Sequence, residues 1–225
     1  MLDKNSFRIY AKSKLKSNKN HQAKCVHYSV LGVLKNIIKN KKAKNILLYI
    51  PTDYEVDVLR LRQILSKNIN IFVPFMLDES LKIVKLRLPF TRGRFNILQA
   101  NDSNGRTPKI DLAIIPVIGV DANMARIGHG KGFYDRFFSS LNYMPCVIFV
   151  SILDLFIWRK ICCLHDIRAE FYLTPYKIYK RTKHDTIFRF GASSLHADSR
   201  RISWLFSSSQ DKRSKLRNFC RASKG

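Results

Sequence analysis

Three glycines at alternate positions are interleaved with two cations in Arg126-Ile127-Gly128-His129-Gly130-Lys131-Gly132. Glycine lets the backbone take positive φ and come close to a ligand. Free N–H groups in such a loop, with those at the start of a following helix, form a site for an anion such as phosphate. Arg126 and Lys131 would add full positive charge as exposed loop cations, and Asp135 follows the last glycine by three residues. A lone G-x-G-x-G is more often a plain turn. Here the loop follows a long apolar run and carries charge at both ends, which favours the anion site. It is not a Walker A loop, because Lys131 precedes Gly132 and the G-x-x-x-x-G-K-[ST] spacing fails. Nor is it a dinucleotide fingerprint, since Phe133 stands where the third glycine belongs.

A loop of this kind must be held at the end of a strand. Four runs are apolar on both faces: Ile46 to Ile50, Ile71 to Phe75, Leu112 to Ile118 and Val147 to Leu153. Such runs suit strands covered on both sides. Around them, Val30, Leu31, Leu34, Ile37 and Ile38 repeat at helical spacing, as do Val58, Leu61, Ile64 and Leu65. The pattern predicts two N-terminal helices, a strand over 45–50, a helix over 55–67, a strand over 70–74 and a hairpin-like region around 82–88. It then predicts a strand over 111–115, a long loop, a helix over 132–141, a strand over 146–150 and a last strand over 169–173. Alternating strands and helices imply a mostly parallel sheet in a three-layer α/β/α arrangement. Ligands in such sheets collect beyond the carboxyl ends of the strands, near Pro51, Pro74, Pro116 and Ser151.

The chain has 225 residues and a formal net charge of +25. Such an excess attracts phosphate-bearing partners, nucleotides and nucleic acids alike. From Tyr176 onward, 13 Lys and Arg stand against three Asp and Glu, among serine-rich pieces with few apolar runs. That composition suits a loosely docked or disordered extension, so a catalytic domain over 1–175 and a basic extension over 176–225 are expected. The first forty residues carry charges throughout and lack the apolar stretch of a secretory signal. The longest mainly apolar stretch, Cys146 to Trp158, is shorter than the roughly 20 residues a membrane span needs. A cytoplasmic protein is expected. Five cysteines (Cys25, Cys146, Cys162, Cys163, Cys220) form no C-x-x-C pair and read as reduced thiols, with Cys162 and Cys163 adjacent rather than spaced as zinc ligands.

Arg126 to Arg136, RIGHGKGFYDR, resembles the signature of the 5-formyltetrahydrofolate cyclo-ligase family, also called methenyltetrahydrofolate synthetases, which runs approximately R-[LIM]-G-x-G-[GK]-G-[YF]-Y-D-R. Phe133 stands where tyrosine is usual. Lys4 and Arg8 match the family's N-terminal K-x-x-x-R, a spacing that puts both cations on one helix face. Ile50 to Leu61 matches its strand-loop-helix, with Glu55 in the place of a glutamate that faces the folate. By itself Glu55 would be a first-turn acid favoured by a helix dipole. Ile71 to Met76 and Arg94 to Gln99 resemble segments lining the pterin pocket, and Leu164 to Pro175 resembles the near-terminal H-D segment. The sequence before that pair, WRKICCLHD, departs from the family.

The resemblance implies ATP-driven, magnesium-dependent closure of 5-formyltetrahydrofolate to 5,10-methenyltetrahydrofolate on a fold like that of sugar-phosphate isomerases and CoA transferases. It assigns ATP to Lys4, Arg8, Arg126, Gly128, His129, Gly130, Lys131 and Gly132. It assigns the folate to Glu55, Met76, Phe95 and Tyr134, and magnesium to Asp135 and Asp166. Arg126, Lys131 and Tyr134 would act in the reaction itself. A monomer is the default expectation. The rival readings are a basic nucleic-acid-binding protein, suggested by the charge and the tail, and a family member that binds ATP without acting on folate.

Overall fold

The computed structural model describes residues 3–18, 24–77, 80–92, 98–101, 108–182 and 184–191. Phe95 and the segment 192–225, including Trp204, lie outside the described residues.

Asp3 starts helix α1 (Lys4–Ser17), its Oδ1 accepting the Ser6 N–H at 2.7 Å. Phe7, Ala11 and Leu15 recur every fourth residue and are buried, leaving Lys4, Arg8 and Lys12 as a parallel row beside them. Helix α2 (Lys24–Asn40) buries Val30, Leu31, Val33, Leu34, Ile37 and Ile38. It ends in a Schellman turn: Lys42 is left-handed at φ 52°, and the Ala43 N–H reaches back to the Ile38 carbonyl at 3.2 Å.

There follow β1 (Asn45–Leu47), a 3-10 turn (Val58–Arg60), α3 (Leu61–Ile64), β2 (Asn70–Met76), β3 (Leu81–Lys85), β4 (Thr91–Arg92) and β5 (Leu98–Gln99). The second half holds β6 (Leu112–Pro116), β7 (Gly119–Val120), β8 (Arg126–Ile127), α4 (Phe133–Ser139), β9 (Cys146–Val150), β10 (Phe171–Leu173), β11 (Lys177–Arg181) and β12 (Ile187–Gly191). The expected helix over 55–67 shrinks to the 3-10 turn and α3. Val56 and Val58, two apart, are both fully buried, and a helix would turn them in nearly opposite directions.

Among the described residues the main sheet has eight strands in the order β12-β11-β10-β9-β6-β1-β2-β3. The central five are parallel, while β3, β11 and β12 are antiparallel additions at the edges. Each central strand is apolar on both faces. Leu112 and Ile114 of β6, Ile148 and Val150 of β9, and Phe171 and Leu173 of β10 face the layer containing α1 and α2. Ala113, Ile115, Val147, Phe149 and Tyr172 face the opposite layer, which contains Phe138 of α4. This is the three-layer α/β/α architecture expected from the continuous apolar runs.

The sheet does not stop at Pro175, which corrects the expected last strand and the boundary placed there. β11 pairs antiparallel with β10, placing Ile178 and Tyr179 in the core at 1% and 2% exposure, and β12 pairs with β11. Lys177, Lys180 and Arg181 flank the two adjacent buried residues with charge, and a charge count cannot separate such a strand from a solvated tail.

Chain order places β2 on one side of β1 and β6 on the other. The loops leaving β1 and β6 therefore diverge, and a crevice opens between them at their carboxyl ends.

Candidate functional site

The crevice holds a cleft of about 440 Å³. Tyr49, Ile50 and Thr52 enter it from the segment after β1, Pro74 and Met76 from β2, Gln99 from β5 and Pro116 from the end of β6. Tyr54 and Glu55 come from the next turn. Arg126, His129, Lys131, Gly132, Phe133 and Tyr134 close it from the glycine loop and the start of α4. Aromatic and apolar side chains line it together with Glu55, Arg126 and Lys131, a combination suited to a ring system with a polar edge.

Each glycine in the loop has its own physical reason. A Cβ on Gly128 would lie 2.5 Å from a terminal nitrogen of Arg126, whose guanidinium curls back against the loop. Gly130 has φ 106° and Gly132 φ 67°, conformations that L side chains rarely adopt. Gly132 caps α4, which is only two turns long.

Helix α1 docks through its row of cations against this loop and the Asp166 segment beside it. Lys4 Nζ donates to both Asp166 carboxylate oxygens, at 2.5 and 2.6 Å. Arg8 Nε donates to the Gly128 carbonyl and Lys12 Nζ to the His129 carbonyl, each at 3.1 Å. The expected pairing of Lys4 and Arg8 on one face is thus present. Lys12 joins them, its spacing of four from Arg8 continuing the same row.

Arg126 is the electrostatic centre. It is 7% exposed, which corrects the expectation of an exposed loop cation. One terminal nitrogen lies 3.2 Å from Asp135 Oδ2, the guanidinium carbon sits 5.0 Å from the centre of the Tyr134 ring, and the buried Nε has no hydrogen-bond partner among the described residues. Burial raises the Tyr134 phenol well above its ordinary value, against the pull of the Arg126 charge. Tyr134 thus remains a proton donor at neutral pH. Burial also raises the Glu55 carboxyl, an effect opposed by its hydrogen bonds to Thr52 and by Arg126. Although the His129 residue is largely exposed, partial burial of its ring, then Lys12 and Arg126, lowers it to about 4. That ring lies 6.1 Å from Tyr54.

Glu55 is not a first-turn helix acid. Its Oε2 accepts the Thr52 N–H at 2.9 Å and its own N–H donates to the Thr52 carbonyl, closing a turn before the helical segment begins. Met76 lines the cleft, and its N–H donates to Gln99 Oε1 at 2.9 Å. Thr52, Tyr54 and Gln99, within segments that resemble the family, and Tyr49 join the expected residues through the fold. No local spacing marks them.

Asp135 and Asp166 come from separate segments. The Ile167 N–H, adjacent to Asp166, donates to Asp135 Oδ1 at a long 3.4 Å. Asp166 also accepts the Cys163 N–H at 2.7 Å. Carboxylate oxygens are the donors magnesium takes, and Asp135, with contacts of 3.2 and 3.4 Å among the described residues, is the more loosely held of the two. Asp121 is different: fully buried, it accepts four backbone N–H groups, from Asn123, Ala125, Ile161 and Cys162, and so fastens the 121–126 and 161–162 segments together.

A protein-family model described as the 5-formyltetrahydrofolate cyclo-ligase family matches residues 3–155. The 5-formyltetrahydrofolate cyclo-ligase of Mycoplasma genitalium is 29% identical over 150 residues, 62% of this chain and 78% of that protein. The Haemophilus influenzae protein of the same name is 32% identical over 126 residues, 52% of this chain and 65% of that one. In three dimensions, the Aquifex aeolicus 5,10-methenyltetrahydrofolate synthetase superposes with a TM-score of 0.67 at 22% identity, covering 79% of this chain and 92% of that one. The Mycoplasma pneumoniae 5,10-methenyltetrahydrofolate synthetase gives 0.59 at 19% identity, covering 76% and 98%.

Proposed function

Because the chain belongs to the 5-formyltetrahydrofolate cyclo-ligase family, we propose that it closes 5-formyltetrahydrofolate to 5,10-methenyltetrahydrofolate, using ATP with magnesium and releasing ADP and phosphate. The observation that carries this reading is the convergence of Arg8, Lys12 and Arg126 on the glycine loop, with Lys4 on the neighbouring Asp166, beside a cleft lined by apolar and aromatic side chains. A polyphosphate and a flat heterocycle can lie there side by side.

In this reading the triphosphate lies along the loop over Gly128–Gly132 and the α1 cations. Lys4 and Arg126 exchange their carboxylate partners for phosphate oxygens, which frees Asp166 and Asp135. Those two carboxylates would hold magnesium, which when bound helps neutralise the charge on the phosphate oxygens. Met76, Pro74 and Tyr49 pack the pterin, while Glu55 and the protonated Tyr134 orient its polar edge. The formyl oxygen attacks the γ-phosphorus and the bond to ADP breaks. The second folate nitrogen then attacks the formyl carbon, loses its proton, and expels phosphate. The chain has mainly to align the reactants and spread charge, so no general base is required for the first step.

On mixing the protein with ATP, magnesium and 5-formyltetrahydrofolate, absorbance of the methenyl product should rise, and ATP turnover should depend on the folate. ATP turnover that ignores the folate would overturn the reading in favour of a generic ATP-binding member.

Gly130→Val is expected to abolish turnover while leaving the far-ultraviolet dichroism nearly intact. At φ 106° a β-branched side chain is strained whatever the space around it, and relief requires the loop to move away from the nucleotide. A fully active valine variant would show that the loop does not touch ATP.

A further inference from the structure

Beyond the loop, the segment Cys163-Leu164-His165-Asp166 forms a tight turn. The Asp166 N–H donates to the Cys163 carbonyl at 3.2 Å, and the Cys163 N–H donates back to Asp166 Oδ2 at 2.7 Å. The turn gathers the Cys163 thiol, the His165 imidazole and the Asp166 carboxylate, with one ligand atom of each within 4.8 Å of the others. Cys163 and His165 are exposed and Asp166 is buried beneath them. The neighbouring Cys162 points away: its Sγ lies 3.5 Å from the Arg126 carbonyl and 3.8 Å from that of Ala125.

We propose that Cys163, His165 and Asp166 form a binding site for a zinc-like divalent cation, with the fourth position open to water. Sulfur, imidazole nitrogen and one carboxylate are the donors zinc accepts in three-ligand sites, whereas magnesium takes oxygen. Zinc bonds of about 2.0–2.3 Å in a tetrahedron put ligand atoms roughly 3.5 Å apart. Closing the site therefore requires shifts of roughly 1 Å in two exposed side chains, while the buried carboxylate stays fixed by the turn.

The site shares Asp166 with the Lys4 ion pair. A zinc-like cation there competes with Lys4 and with magnesium for the same oxygens. Resting on the cyclo-ligase reading, the inference extends to function: zinc occupying the turn slows turnover.

The full-length protein, titrated with cobalt(II) as a spectroscopic stand-in, should show a single site with a thiolate-to-cobalt charge-transfer absorption that zinc abolishes. Cys163→Ser should lose that absorption. Cys163→Ser and His165→Ala should each weaken cobalt binding by about tenfold or more, since removing a ligand costs at least as much as removing its outer-shell support. Absence of the charge-transfer absorption, or its persistence in Cys163→Ser, overturns the site. These spectra need no folate or ATP, so they stand or fall apart from the cyclo-ligase reading. In the turnover assay, zinc should inhibit wild type and spare Cys163→Ser. Equal inhibition of both would overturn the link to function.

Discussion

Arg126→Ala is expected to lower ATP use by about tenfold to over a hundredfold, the effect of losing a charge-assisted contact of about 1.5–3 kcal/mol. It should also destabilise the fold, which the sequence alone would not suggest. Arg126 is 7% exposed and its partner Asp135 19%, so the alanine variant strands a largely buried carboxylate. Breaking such a pair from one side costs about 3–5 kcal/mol, and the partial exposure of Asp135 puts the expected loss near the lower end. The two losses separate in a double variant. Arg126→Ala with Asp135→Asn removes the stranded charge and should recover much of the urea midpoint lost in the single variant, while ATP kinetics stay poor. Lys131→Ala, at an exposed position, should impair ATP use with little change in the midpoint. Unchanged ATP kinetics in both single variants would rule out the phosphate assignment.

Truncation after Tyr176 is expected to leave a protein that is insoluble or melts far below the full chain. The cut removes β11 and β12, uncovers the hydrogen-bonding edge of β10, and deletes Ile178 and Tyr179 from the core. Tyr179 also stacks on Phe156 at 4.5 Å and on Tyr172 at 5.5 Å, and donates its hydroxyl hydrogen bond to Asp154. Each large apolar side chain contributes about 1.5–3 kcal/mol through burial, so the two together approach the stability of a domain that totals about 5–15 kcal/mol. Truncation after Gly191 keeps all eight strands and should melt close to the full chain. Comparing the melting temperatures of the two truncations is the test: a 1–176 fragment as stable as the 1–191 fragment would show that the edge strands contribute nothing to the core.

By itself the sequence determined the parallel centre of the sheet, because Leu112 to Pro116 and Cys146 to Val150 are apolar on both faces and only a doubly covered strand can bury such a run. It also determined the glycine loop and the α1 cations, since both are encoded within a few residues: positive φ demands glycine, and a spacing of four places Lys4, Arg8 and Lys12 in one row. What only the tertiary structure decided depends on contacts between distant segments. The pairing of Lys4 with Asp166 spans 162 residues and that of Arg8 with the Gly128 carbonyl 120, so neither leaves a local trace. Glu55 looked like a helix-start acid because charge near an apolar periodicity usually is one, yet burying both Val56 and Val58 replaced that helix start with a turn. β11 and β12 were concealed because the basic residues of Lys177–Arg181 read like those of a solvated tail, and only the pairing of β11 with β10 and of β12 with β11 shows them to be strands. Local chemistry is written in neighbouring residues, whereas the sharing of a buried carboxylate or a strand edge is settled by which distant segments the fold brings together.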